Sequence, residues 1–462
     1  MSNDPRETLA GSPMSRLQIT AVGITIALNA LDGFDVLSIS FASPGIAAEW
    51  GIDPAALGFV LSMELIGMSL GSVLLGGVAD KVGRRATMLG CLVLMAVGMF
   101  MATTTGGIVD LSFWRIVTGI GIGGMLAATA AVAAEFSNRR RRDLCVSLMA
   151  IGYPIGAVVG GSIAAELLGQ YGWRSVFYFG AAATAALIPI VFLLVPESVH
   201  WLARKQPEGA LGRINRTLAR MGHAAVRALP ELSSDARKRS ISDILAPGLL
   251  GTTVIVAAAY FFHIMTFYFV LKWVPKIVAD MGFTASSAAG VLVWANVGGA
   301  VGGAVLGILT QRFNVKALTI GAMLLSTVLV AIFGRSPEDL ARLSMLCAFA
   351  GFFTNGAIVG MYAIFAKAFP THVRATGTGV SIGVGRGGSV LGPIIAGFLF
   401  DGGVGLPAVA LVMGLGSLLA AGVLMLLKLE PTGPEAAEGA RDRSPPRRRR
   451  RLPDPAADAA GT

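Results

Sequence analysis

Gly76-Gly77-Val78-Ala79-Asp80-Lys81-Val82-Gly83-Arg84-Arg85 joins two apolar runs, residues 56–79 and 86–105, each about long enough to cross a bilayer as a helix. One acid and three cations in so short a turn form a charge cluster between helices, of the kind that is made in one state and broken in another. A bare marker of membrane orientation accounts for Lys81, Arg84 and Arg85 but leaves Asp80 and the glycines without a role.

Working outward, spanning runs recur near 17–42, 56–79, 86–105, 108–134, 144–168 and 175–195, and again near 248–272, 285–309, 315–334, 340–367, 374–400 and 405–428. The chain of 462 residues is 54% hydrophobic and 14% charged, with mean hydropathy +0.70. A soluble chain has about 25% charged residues. The expected fold is an all-α membrane protein with twelve transmembrane helices in two six-helix bundles. Residues 1–16 form an N-terminal tail, 17–195 the first bundle and 196–247 a central loop. Residues 248–428 form the second bundle and 429–462 a basic tail. The first run follows sixteen mostly polar residues and has no small-residue cleavage site, so it reads as a retained helix. Cys91, Cys145 and Cys347 show no metal or redox spacing and read as buried free thiols.

Lys and Arg set the orientation. With both termini cytoplasmic, the inner segments hold Lys81, Arg84 and Arg85, Arg139 to Arg142, Arg312 and Lys316, and Lys367 and Arg374, whereas outer loops keep few. The net charge of +10 resides mostly in these loops and in the tail run Arg447 to Arg451, which suits anionic headgroups better than nucleic acid. The tail lacks apolar periodicity and is expected to be disordered. An amphipathic piece at 210–221 is expected along the inner surface. An internal repeat supports two halves: at the offset from Leu17 to Gly248 (248 − 17 = 231), Gly76, Gly152, Gly156 and Gly161 fall on Gly307, Gly383, Gly387 and Gly392.

Charges inside the runs are the candidate site, because a charge at the bilayer centre is costly. The first run carries Ala27-Leu28-Asn29-Ala30-Leu31-Asp32-Gly33-Phe34-Asp35. Its two acids lie three residues apart, on nearly one helix face, and can share a cavity, a proton or a cation. Gly33 between them thins the helix for a neighbour or ligand. The rival reading pairs both acids with buried bases. Arg115 needs a carboxylate or an anion, unless it snorkels to the interface. Arg386, about twelve residues into the eleventh run, offers a bidentate fork for a carboxylate, or else neutralises Asp32 or Asp35. Tyr153 beside Pro154, Phe34 and Tyr260 supply aromatic surface. Asn296 and Asn355 complete the substrate set. His263 falls opposite Asp32 at the repeat offset, as a relay would.

The opening loop resembles the signature G-x-x-x-D-[RK]-x-G-R-[RK] of the major facilitator superfamily, whose two bundles alternate access around a central site. The resemblance spans about residues 17–428. It implies a latch from Asp80 and Arg84, with Arg85 in the same loop and Glu135 and Arg374 as partners. Gln311 replaces the acid in the second-half copy. Arg115 with Gly119 resembles a fourth-helix motif tied to proton coupling. Pro196-Glu197-Ser198 with Trp201-Leu202 resembles the P-E-S-x-x-W-L ending of organic-solute carriers. Asp32-Gly33-Phe34-Asp35, the run from Pro44 to Trp50, Arg374-Ala375-Thr376-Gly377-Thr378-Gly379 and Gly385-Arg386-Gly387-Gly388 together resemble the aromatic acid:proton symporter branch. Glu64 has no place in that pattern: it either widens substrate choice or faces Arg115.

The implied activity is proton-coupled import of a small aromatic carboxylate, with Asp32, Asp35, Arg115 and His263 coupling protons. Implied partners are that acid, protons and the lipid of a bacterial inner membrane, with a monomeric carrier and no cofactor. Rivals are a symporter for another organic acid or a sugar, a drug/proton antiporter and a non-transporting sensor. No nucleophile–base set, metal spacing or phosphate loop favours an enzyme.

Overall fold

The computed structural model describes residues 4–230, 247–370 and 373–428. The expected disordered tail, with its arginine run, and residues 231–246 of the central loop lie outside the described residues. Fifteen helices and no strand appear among the described residues. They are α1 (Pro5–Gly11), α2 (Arg16–Trp50), α3 (Pro54–Val82), α4 (Arg84–Ala102), α5 (Ile108–Glu135), α6 (Arg142–Tyr171), α7 (Arg174–Leu194), α8 (Val199–Lys205), α9 (Ala210–Arg220), α10 (Pro247–Asp280), α11 (Ala285–Leu309), α12 (Val315–Phe333), α13 (Leu340–Ala368), α14 (Arg374–Asp401) and α15 (Leu406–Met425). Twelve of them are long and apolar enough to cross a membrane.

Side chains at the ends set where several helices begin. Ser15 and Gln18 make a reciprocal capping box at the start of α2. Asp53 caps α3 ahead of Pro54, and Asn314 and Asp339 cap α12 and α13. α2 and α10 start 231 residues apart (247 − 16) and carry internal prolines at the same offset (275 − 44). Both run eight residues past the apolar stretches that predict them (50 − 42; 280 − 272). Their extra turns are packed in protein, with Ile46, Ala47, Ile277 and Val278 all buried in one core.

α2 begins on what we term the terminal side and ends on the far side. On the far side the bundles share that core: Phe41, Ile46 and Leu61 of the first bundle with Trp273, Ile277 and Leu292 of the second. Polar contacts between the bundles run from Ser62 to the Val390 carbonyl at 2.8 Å and from Lys272 to α2 and α3, all in the far halves of these helices. On the terminal side a second core is built from the first bundle with α1, α8 and α9. The interface is thus closed on the far side. α9 packs on that core through Ile214 and Leu218 and turns Arg213, Arg216 and Arg220 outward.

Candidate functional site

Asp32 and Asp35 lie near the middle of α2, 2% and 0% exposed, and none of their four carboxyl oxygens has a hydrogen-bond partner among the described residues. The reading that pairs them with buried bases is not what the geometry shows. Gly33 meets a neighbouring helix, because a β-carbon there would sit 2.1 Å from the Tyr153 carbonyl oxygen of α6. That approach brings Tyr153 alongside the acidic turn. Phe34 turns away into the first bundle, edge-on to Phe179 at 5.1 Å and over Gly160, so it is placed as packing.

Beside Asp35 three fully buried charges meet. Arg115 Nη2 lies 2.5 Å from Glu64 Oε1, and Lys272 Nζ lies 3.4 Å from Glu64 Oε2. Arg115 donates to the Asp35 backbone carbonyl at 3.0 Å, reaches Met99 Sδ at 3.0 Å and stands over the Phe177 ring. It does not snorkel. Glu64 faces Arg115, the second of its two readings. Lys272 also donates to the Val36 carbonyl. Lys272 escaped the sequence reading because it closes an apolar run and looks interfacial.

Arg386, near the middle of α14, is half-buried, and its guanidinium makes no hydrogen bond or ion pair among the described residues. It therefore neutralises neither Asp32 nor Asp35. Tyr153, Tyr260 and Tyr268 lie within its electrostatic reach. Tyr260 is seated by Gly385, where a β-carbon would stand 2.1 Å from its ring, and its hydroxyl is 3.2 Å from that of Tyr362. Tyr268 and Tyr362 were not in the expected set.

The remaining candidates are held in packing. His263 Nε2 is 2.8 Å from the Thr354 carbonyl, so it carries the proton, and Nδ1 accepts from Ser417 at 2.9 Å. Both nitrogens are engaged inside the second bundle, away from Asp32. Asn296 bonds the Leu292 carbonyl of its own helix, and Asn355 ties α13 to the Gly299 carbonyl of α11. A cavity of about 390 Å³ at the far-side ends, between Pro54, Trp273 and Phe400, holds no member of the site.

At the terminal ends Arg84 binds Asp80 at 2.8 Å and Glu135 at 3.2 Å, and Arg204 of α8 binds Asp80 at 2.7 Å. Glu197 Oε1 accepts from the amides of Arg84, Arg85 and Ser198, satisfying the open N-terminus of α4. Arg85 covers the Phe192 ring at 4.9 Å and donates to its carbonyl. Among the described residues, exposed Arg374 reaches only the Phe369 carbonyl, and buried Glu135 Oε2 has no hydrogen-bond partner. The charge cluster expected as a latch is therefore made within the first bundle among the described residues, and Glu197 and Arg204 were missed as its members.

Two bundles of six spanning helices around buried ionisable side chains are the build of a multi-pass membrane transporter. The Major Facilitator Superfamily profile matches residues 25–336 and 256–456, and the chain belongs to that family. It is 28% identical to the gallate transporter of Pseudomonas putida over 90% of this chain and 93% of that one. It is 30% identical to the 4-hydroxybenzoate transporter PcaK of the same organism, over 85% and 88%. The solved inward-open structure of the xylose transporter XylE from E. coli superposes with TM-score 0.68 at 20% identity, covering 92% of this chain and 99% of that one. With transporters as its family and its relatives, the protein is a carrier of small molecules and not an enzyme.

Proposed function

We propose that the protein imports a small aromatic carboxylate with protons across a bacterial inner membrane, as a monomer working by alternating access. One observation carries this: half-buried Arg386 makes no ion pair among the described residues and has Tyr153, Tyr260 and Tyr268 within its electrostatic reach, while the two buried carboxyls of α2 have no hydrogen-bond partner there. A fixed cation among aromatic rings suits a planar anion, and its fork matches a carboxylate. Names of relatives that carry gallate, benzoate and 4-hydroxybenzoate support that class.

Asp32 and Asp35 exchange the proton, because an unpaired carboxyl in a dry site gains most from neutralisation. Arg115 holds the backbone beside them. Tyr153, Tyr260 and Tyr268 line the ring of the substrate. By the positive-inside rule the terminal side is cytoplasmic, so the far side, closed here, is the outer gate. On closure of the terminal side, exposed Arg374 is available to the free Glu135 oxygen. His263, Phe34, Asn296 and Asn355 serve packing in this scheme.

Uptake of a labelled panel of benzoates and sugars into cells expressing the chain, with and without a proton uncoupler, tests the reading. Saturable, uncoupler-sensitive uptake of an aromatic acid is expected. Uptake of a sugar but of no aromatic acid overturns it.

A further inference from the structure

Lys272 is fully buried in α10, yet its polar contacts belong to the other bundle: the Val36 carbonyl of α2 and Glu64 Oε2 of α3 at 3.4 Å. Its own bundle supplies it with no polar partner among the described residues. A buried ammonium without a counter-charge is among the costliest groups a protein can hold. The second bundle therefore keeps Lys272 dry only while it is docked on the first. Toward the far side the shared core holds Trp273, Ile277 and Leu61, and Ser62 donates to the Val390 carbonyl across the bundles.

Glu64 cannot simply follow Lys272 when the bundles part. Its other oxygen is 2.5 Å from Arg115, which is anchored to the Asp35 carbonyl and Met99 of the first bundle. Separation of α10 from α2 and α3 thus leaves Glu64 behind with Arg115 and strips Lys272 of both contacts. With Asp35 ionised, Asp35, Glu64, Arg115 and Lys272 are two acids and two bases, so the docked arrangement is also balanced in charge.

We infer that the buried Glu64–Lys272 contact is a cross-bundle strap that holds the far side closed and must break each time that side opens. The inference rests on alternating access as proposed above, but not on which solute is carried. An ordinary structural pair, by contrast, adds stability without setting the balance between conformers. Lys272 and Glu64 are positioning residues here, acting on the gate and not on the substrate.

The test uses the full chain in nanodiscs without substrate. Spin labels at Gly106 and Glu338, both exposed, report the far side, and labels at Arg140 and Arg312 report the terminal side. Lys272→Met removes the strap but leaves Glu64 paired with Arg115. It is expected to raise the far-side-open to far-side-closed ratio by roughly 10- to 150-fold, the range for losing one charge-assisted hydrogen bond. The distance between terminal-side labels should shorten in step. Lys272→Gln removes the charge but keeps a polar group there, leaves Glu64 paired with Arg115, and gives a shift in the same direction if Lys272→Met folds poorly. Native distance distributions in both variants, with only the melting temperature lowered, overturn the strap. That outcome leaves the uptake experiment untouched, whereas failed uptake of every aromatic acid leaves the distance measurement valid.

Discussion

Gly33 of α2 and Tyr153 of α6 are in backbone contact, with room for no side chain between them: a β-carbon on Gly33 would fall 2.1 Å from the Tyr153 carbonyl oxygen. Since that oxygen belongs to a helix backbone, the helices themselves must move to admit a methyl group. Overpacking of this kind costs about 1–3 kcal/mol. Gly33→Ala should lower the melting temperature and most of the transport, since it displaces Tyr153 from the acidic turn. Gly23→Ala, on the same helix with open space around it, should behave as the native protein. Equal melting of all three proteins would show that the close approach is dispensable.

Much of this was legible from the sequence, for reasons that can be named. Apolar runs separated by short charged turns locate spanning helices because the bilayer leaves the backbone few alternatives. The repeat offset read from glycines is also the offset between the starts of α2 and α10 and between Pro44 and Pro275. The same pattern hid the far ends of those two helices. Beyond Ala42 and Lys272 polar residues appear, and a count of apolar residues stops there although the helix continues inside protein. Lys272 was lost for that reason, and with it the partner that explains Glu64. The repeat offset likewise set His263 opposite Asp32, but offset carries no information on which neighbour a ring nitrogen meets. Ser417 and Thr354 took both.

A gating role for the terminal-side charge cluster predicts an effect on rate and not on affinity. Arg84 joins α3, α4 and α5 far from Arg386, so Arg84→Ala should slow the maximal rate several-fold while leaving KM near native. Glu197→Gln keeps an acceptor at the start of α4 but removes the charge that favours that end. Loss of a cap of this type costs about 0.5–2 kcal/mol, and a lower melting temperature with native KM is expected. A change confined to KM, with the rate untouched, would argue against a gating role for the loop.

Proton coupling is tested at the two unpaired carboxyls. An amide fills the same space but exchanges no proton, so Asp32→Asn and Asp35→Asn should each abolish uphill accumulation driven by a proton gradient. Exchange of labelled for unlabelled solute across proteoliposomes needs no net proton movement and should survive in at least one of the two. Neither carboxyl has a hydrogen bond to lose among the described residues, so both variants should fold as the native protein does. Full accumulation by the double variant would remove α2 from the coupling path.

Arg386 gives the sharpest test, because the role proposed for it depends on shape as well as charge. Its guanidinium makes no ion pair among the described residues, so replacing it strands no carboxylate there, and Arg386→Lys should fold normally. If the fork grips the substrate carboxylate, lysine keeps the charge and loses one of two parallel hydrogen bonds. Charge-assisted hydrogen bonds contribute about 1.5–3 kcal/mol, which corresponds to roughly 10- to 150-fold weaker binding of the acid. A methyl ester of the same acid offers no anion to grip and should bind the native and lysine forms almost equally. Comparing acid and ester by calorimetry on both purified proteins isolates the carboxylate contact from any general change in the cavity. A site that merely needs positive charge predicts equal acid affinity in the two proteins, and that result would take Arg386 out of the binding site.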